Sequence, residues 1–213
     1  MNKNEKFFVT INRELGSGGR TVGEKLAAKL GVPFYDKALI KALTEKYHLT
    51  VEEIEKLKGR KHGWWADFKR TLSLGQSANS SQYYKVAIGE EPDLLTTDEM
   101  YKAEMDILKG IAEDESCVIA GRTAFYILKD QPNHLSILIQ ASMDHRIERV
   151  MRKQNLSREE AEKAIKRVDK MRENYVNKYT GTSRYDTRNY DLVISMDGHS
   201  EEDIAEMIFR YIG

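Results

Sequence analysis

A strand-like apolar run, Phe7-Phe8-Val9-Thr10-Ile11-Asn12, falls straight into Arg13-Glu14-Leu15-Gly16-Ser17-Gly18-Gly19-Arg20-Thr21. A helical pattern follows, with apolar residues at Val22, Leu26, Ala27 and Leu30. Strand, glycine loop, helix is the layout of a phosphate cradle. Small residues let successive backbone N–H groups converge on an anion, and the helix N-terminus adds partial positive charge. A tight turn between a strand and a helix would also use glycine. Three glycines in four residues, flanked by Ser17 and Thr21, favour the cradle.

The cradle departs from the common pattern G-x-x-x-x-G-K-[ST]. With Gly19 as the second glycine, Arg20 takes the lysine slot, Thr21 the magnesium-ligand slot, and Glu14 replaces the first glycine. An arginine can clamp phosphate oxygens bidentately, but it is not a lysine point charge.

The rest of the chain alternates strand and helix signals. Val32 to Tyr35 reads as a second strand after the helix stop at Gly31, with Asp36 at its end and a helix over about 37–47. Thr50 and Glu53 read as a capping box for a further helix. Residues 59–95, with Trp64-Trp65, Ser80-Ser81 and Tyr83-Tyr84, are the least regular. They suit a substrate lid, an oligomer contact or a loosely helical insert. A helix is expected from about Thr97 to Glu113, and strands at 117–120, 135–139 and 192–195. A long helical region over about 144–178 breaks near Gln154-Asn155-Leu156, with Ser157 and Glu160 capping its second half, and Ile204, Met207, Ile208 and Tyr211 mark a closing helix. Continuous apolar strands alternating with helices predict an α/β fold with a parallel sheet covered on both faces. Ligands then gather beyond the carboxyl ends of the strands. The loop at 13–21, Asp36, Gly121-Arg122 and Ala141-Ser142 all fall at that edge.

Bulk properties narrow the class. A chain of 213 residues with 40% hydrophobic content suits one domain with a full core. Cys117 is the sole cysteine, so no intrachain disulfide can form, and its neighbours Val118 and Ile119 mark a buried thiol. With no apolar signal core near Met1 and no run long enough to span a membrane, the expected location is cytoplasmic. The five histidines show no ligand spacing for zinc. Net charge is zero, yet residues 141–190 hold 13 Lys or Arg against 8 Asp or Glu. That local excess suits anion handling, whereas coating nucleic acid would need a broader one. A solvated, salt-bridged helix face would produce the same count.

In sum of motifs, the chain resembles the cytidylate kinase-like branch of the P-loop nucleoside monophosphate kinases. The likeness rests on Thr10-Ile11-Asn12-Arg13-Glu14-Leu15-Gly16-Ser17-Gly18-Gly19-Arg20, on Pro33-Phe34-Tyr35-Asp36-Lys37 and on Val118-Ile119-Ala120-Gly121-Arg122. Arg146-Ile147-Glu148-Arg149-Val150-Met151, the basic run Lys166 to Tyr175 and Tyr179-Thr180-Gly181 continue it in order. The resemblance implies a three-layer P-loop nucleoside triphosphate hydrolase-type fold, as one domain over 1–213. It implies a substrate-side insert at about 59–95 and a basic helical lid at about 144–190.

It also implies an activity: ATP- and magnesium-dependent phosphoryl transfer to a small acceptor, a nucleoside monophosphate. Gly16, Ser17, Gly18, Gly19, Arg20 and Thr21 would hold ATP, with Thr21 on magnesium. Asp36 and Arg122 would meet the acceptor, and Arg122, Arg167, Lys170 and Arg172 would join Arg20 as catalytic cations. Asp36 could equally be a helix cap, and the three helical cations a solvated face. Three departures are visible. An ungapped alignment through Asp36 puts Gly19 opposite the family's lysine, so neither register leaves a lysine in the loop. Lys37 stands where cytidylate kinases carry serine, and Ala120 and Thr123 replace acidic residues beside Gly-Arg. The alternative is a protein that binds a nucleotide or phosphometabolite and regulates a partner without turnover. The expected partner is a small phosphate-bearing molecule, neither nucleic acid nor membrane, and Trp64-Trp65 leaves a homo-oligomer open.

Overall fold

In the computed structural model the described residues are 1–36 and 98–213. The helices expected at 37–57, the irregular stretch 59–95 and Trp64-Trp65 lie outside them.

Five parallel strands form one sheet in the order β2-β3-β1-β4-β5. They are β1 (Phe8–Arg13), β2 (Phe34–Asp36), β3 (Cys117–Ala120), β4 (His134–Gln140) and β5 (Leu192–Ser195). The described helices are α1 (Gly19–Leu30), α2 (Asp98–Asp114), a short α3 (Ala124–Ile127), α4 (Met143–Gln154), α5 (Arg158–Thr180) and α6 (Glu201–Ile212). A 3₁₀ turn at Thr187–Asn189 precedes β5.

Side-chain alternation along β1 builds the two layers. Val9 and Ile11 face one side, where Val22 and Leu26 of α1 and Ile204 and Ile208 of α6 complete a core. Phe8 faces the other, against Ile107, Leu108 and Ile111 of α2. Each such aliphatic side chain, removed wholly from water, contributes about 1.5–3 kcal/mol, enough for the two layers to fix the sheet's orientation. Cys117 lies fully buried in the second layer, and burial pushes its thiol well above the ordinary value.

Local signals set the ends of the elements. Gly31 closes α1 in the left-handed region, its N–H reaching the carbonyls of Ala27 and Ala28. Asn155 ends α4 in the same conformation, and Ser157 and Glu160 form the expected capping box on α5. Ser200 and Asp203 form another on α6.

Strand β1 lies between β3 and β4, in register so that Ile11 faces Ala120 and Arg13 faces Ile139. Asp36 also faces Ala120. The chain leaves β1 toward one side of the sheet and later returns to the other. The crevice beyond β1 is therefore the switch point where ligands bind in open α/β sheets. One boundary differs from the sequence expectation in a way that matters. Arg13, expected in the loop, is the last residue of β1, 6% exposed and paired in register with β4.

Candidate functional site

The loop from Glu14 to Gly18 joins β1 to α1. Gly16 and Gly18 both have φ near +85°, at +84° and +86°, a conformation that L side chains rarely adopt. Gly18 is the N-cap, so Gly19 is the first helical residue, and Val22 N donates back to Gly18 O at 3.1 Å. The N–H groups ahead of that bond, at the start of α1, point to the carboxyl end of β1. Ser17, fully buried, ties the loop together: its hydroxyl donates to Glu14 O at 3.0 Å and accepts from Gly19 N at 3.4 Å.

In the ungapped register the lysine slot falls at Gly19, and the structure fills that space from below. A Cβ on Gly19 would lie 2.7 Å from Arg13 Cβ and 3.1 Å from Ile139 Cβ. Arg13 runs on from there to the β3 end, where a Cβ on Gly121 would overlap its Nη1. Two of the glycines at this edge are thus the space that the Arg13 side chain occupies.

Arg20 points elsewhere. Its Nε donates to Asp36 Oδ2 at 2.7 Å, its Nη1 to Glu24 at 3.1 Å, and its guanidinium lies over the Phe34 ring. The structure therefore brings Arg20 and Asp36 together, as a pair beside the loop. Asp36 is 4% exposed and ends β2. Thr21, in the first turn of α1, accepts a hydrogen bond from Arg149 Nη2 at 3.2 Å. Arg149 also pairs with Glu201 at the start of α6. A magnesium ion on the Thr21 hydroxyl would compete with that guanidinium. Among the described residues no group of three or more His, Cys, Asp or Glu could hold a metal ion. The one hydroxyl oxygen of Thr21 beside the loop fits an ion held chiefly by phosphate oxygens and water, as magnesium usually is in such sites.

Helix α5 supplies the other wall. Asp169 is buried at its centre. Its Oδ1 accepts from Leu15 N at 3.0 Å, and Arg146 Nη2 bonds its Oδ2. Arg146 also donates from Nε to Leu15 O at 2.8 Å and pairs with Glu14 at 3.2 Å. Glu14 Oε2 in turn accepts from Ala141 N at 3.1 Å. Both peptide groups of Leu15 are thus held by α4 and α5, and a Cβ on Gly16 would meet Arg146 O at 2.7 Å. Of the three expected cations on α5, Arg172 reaches the site, donating from Nη1 to Arg13 O at 3.1 Å. Arg167 and Lys170 lie on the exposed face.

The Gly121-Arg122 turn has an unusual backbone. Gly121, Arg122 and Thr123 have φ of +86°, +56° and +53° in succession. Two consecutive non-glycine residues there are strained by on the order of 1 kcal/mol or more each, and such strain clusters at functional sites. Arg122 Nη1 lies 2.8 Å from Glu104 Oε1, with both side chains nearly buried. Tyr175 OH donates to Glu104 Oε2 at 2.9 Å, and burial pushes the Tyr175 hydroxyl far above its ordinary value. Tyr101 stacks on Tyr179 with ring centroids 3.9 Å apart, which anchors α5 on α2.

Several residues here carry little sequence signal. Arg146 and Arg149 sit three apart on α4 and turn inward, although a basic helix usually solvates such residues. Asp169 reads as a surface partner of nearby cations. Arg184 lies in an aperiodic loop, yet it is fully buried.

Comparisons with known proteins agree with this architecture. A family profile described as the cytidylate kinase-like family matches residues 8–198, and the chain belongs to that family. A crystal structure of an uncharacterized protein from Eubacterium ventriosum is similar over 98% of each chain, with 27% identity and a TM-score of 0.69. A shikimate kinase from Acinetobacter baumannii, solved in complex with shikimate, is similar over 99% of this chain and 97% of its own, with 15% identity and a TM-score of 0.53. The shared fold is that of the P-loop kinases. No curated protein matches the chain in sequence. No helix among the described residues is long and apolar enough to cross a membrane.

Proposed function

We propose that this member of the cytidylate kinase-like family is an ATP-dependent phosphotransferase acting on a small acceptor, a nucleoside monophosphate. The observation that carries the proposal is the meeting of two donor sets at one strand end. The N-terminus of α1, opened by Gly16 and Gly18, and the Arg172 guanidinium of α5 both address the carboxyl end of β1. Phosphoryl transfer needs chiefly positioning and positive charge on the developing oxygens, so no dedicated base is required.

In this proposal Gly16, Ser17, Gly18, Gly19 and Thr21 form the donor cradle. Arg20 acts through Asp36, whose carboxylate it holds at the β2 end. Asp36 and Arg122 flank the acceptor. Arg172 is the lid cation already in reach, and Arg167 and Lys170 would join only on closure of α5. Magnesium, bound with the donor, would supply charge neutralisation between its phosphates. Thr21 is its proposed protein oxygen.

A second reading is favoured by one observation. Neither Gly19 nor Arg20 is a lysine, so the loop lacks the lysine that usually meets the transferring phosphate, and a side chain at Gly19 would collide with Arg13. On that reading the site binds a nucleotide or phosphometabolite and signals occupancy to a partner. ADP release, measured with ATP, magnesium and a panel of nucleoside monophosphates, separates the two. Turnover with any acceptor supports the kinase. ATP-dependent thermal stabilisation without turnover supports the binding protein.

A further inference from the structure

Arg184 is the largest fully buried side chain among the described residues. A buried guanidinium is retained only when its donors are satisfied, because desolvating a charge is costly. Here the satisfaction is partial. Its Nη2 donates to Arg13 O and lies 3.4 Å from Asn12 Oδ1, and its Nη1 lies 3.6 Å from Asp169 Oδ1. Nε and Nη1 have no hydrogen-bond partner among the described residues. The carboxylate nearest to Arg184 is shared, since Arg146 and Arg172 also face Asp169.

The surroundings are cationic. Arg172 Nη1 donates to the same Arg13 carbonyl, and the Arg13 side chain reaches the backbone of Gly121 next to it. The carbonyl of Arg13 points to the β3 side, because Gly121 N bonds Ile11 O two residues earlier on the same strand. Three guanidinia therefore converge beyond the ends of β1 and β3. Burial first, then the charge of Arg172, weaken the hold of Arg184 on its proton. Arg184 itself has no exposed surface, so an anion reaches it by displacing the Tyr185 ring. Arg172 is partly exposed, and the 41%-exposed Tyr185 covers Arg184, its ring centroid 5.2 Å from the guanidinium carbon.

We propose that Arg184 is the buried arm of a phosphate-dianion site, completed by Arg172 and Arg13, beyond the carboxyl ends of β1 and β3. A tetrahedral dianion supplies the acceptors that the unpartnered Nε and Nη1 require, in the paired geometry a guanidinium prefers. The site adjoins the backbone N–H cradle of α1 at the end of β1 and differs from it in using side-chain donors. Its occupant being an acceptor's phosphate monoester rests on the phosphotransferase reading, whereas anion binding itself does not.

The test is thermal denaturation of the full chain and its Arg184→Met variant with inorganic phosphate, CMP, cytidine and ATP as probes. Methionine keeps an apolar stem of similar length without the charge. The native chain should be stabilised by phosphate or CMP and not by cytidine. In Arg184→Met the apparent affinity for that anion should fall by about tenfold or more, while stabilisation by ATP persists. CMP acting at lower concentration than phosphate assigns the site to a monoester, and the reverse assigns it to free phosphate. Without ligand, Arg184→Met should lose less stability than Asp169→Asn, because Leu15 N and Arg146 still partner Asp169 in the variant. Anion stabilisation unchanged in the variant, or absent from the native chain, overturns the proposal. So does a marked loss of ligand-free stability with anion affinity retained in Arg184→Lys and Arg184→Met alike, which would make the residue a structural tie. A failure of ATP to stabilise either protein would count against the phosphotransferase reading and leave the anion site standing.

Discussion

A Cβ on Gly19 would stand 2.7 Å from the Cβ of Arg13, closer than two unbonded carbons can approach. Neither atom is at the flexible end of a side chain, so only backbone movement could relieve the contact. The end of β1 carries the cation, and the first residue of α1 gives up its side chain to make room. Gly19→Ala should therefore destabilise the fold by about 1–3 kcal/mol, as overpacking does. That exceeds the gain of up to ~1 kcal/mol that alanine holds over glycine in a helix. In an Arg13→Gly background the same change should cost at least about 1 kcal/mol less, leaving only the Ile139 contact. Urea denaturation of the four proteins measures the coupling, and additive effects would show that the two residues do not compete for space.

Asp169 joins α5 to the loop, to α4 and to the loop before β5 through Leu15 N, Arg146 and Arg184. Asp169→Asn keeps the volume and removes the charge that these guanidinia share. Breaking a buried ion pair from one side costs about 3–5 kcal/mol. The denaturation midpoint should fall accordingly, and a change below about 1 kcal/mol would mean that the cluster is compensated elsewhere.

Arg20→Ala leaves the buried Asp36 carboxylate without its 2.7 Å guanidinium partner. A loss of about 2–3 kcal/mol is expected. Because the damage passes through Asp36, Asp36→Asn should absorb part of it, and the double variant should lose less than the sum. A loss below about 1 kcal/mol would show that the pair contributes little to the fold.

His134, at the start of β4, shares a 2.8 Å hydrogen bond with Thr10 Oγ1. Burial holds its ring below the ordinary value of 6.5, against a smaller opposing pull from Asp191. The unfolded chain then binds the proton more readily, so its contribution to stability is present above about pH 6.5 and is lost as pH falls through the folded-state value. Thermal melts between about pH 7.5 and 5.5 should show a decline that His134→Gln flattens. An equal decline in both proteins would assign it to other groups.

Much of this architecture is legible in the chain. The first strand, the stop at Gly31 and the Ser157 cap are local signals, and local physics places them as expected, while the Ser200 cap on α6 is a further local signal that the structure adds. The glycine loop is likewise local. What sequence could not reach is where long side chains end. Arg20 is one residue from the loop, yet turns to Asp36, because its position in the first turn of α1 faces β2. Arg13 looks like a loop residue until its pairing with β4 is known. Arg167, Lys170 and Arg172 are indistinguishable by composition, and only the rotation of α5 about Asp169 selects Arg172. Arg184 has no periodic context at all, and its burial depends on the chain returning from α5 to β5 across the end of β1.

The selection of Arg172 offers the most direct measurement of the central claim. ADP release should be followed with ATP, magnesium and a panel of nucleoside monophosphates for the native chain, Arg172→Ala and Arg167→Ala. The account predicts turnover with at least one acceptor, a fall of about 10²–10³-fold in Arg172→Ala, as for loss of a preorganised donor to a developing charge, and a smaller fall in Arg167→Ala, whose side chain joins only on closure. No turnover with any acceptor, or turnover indifferent to Arg172, would contradict it.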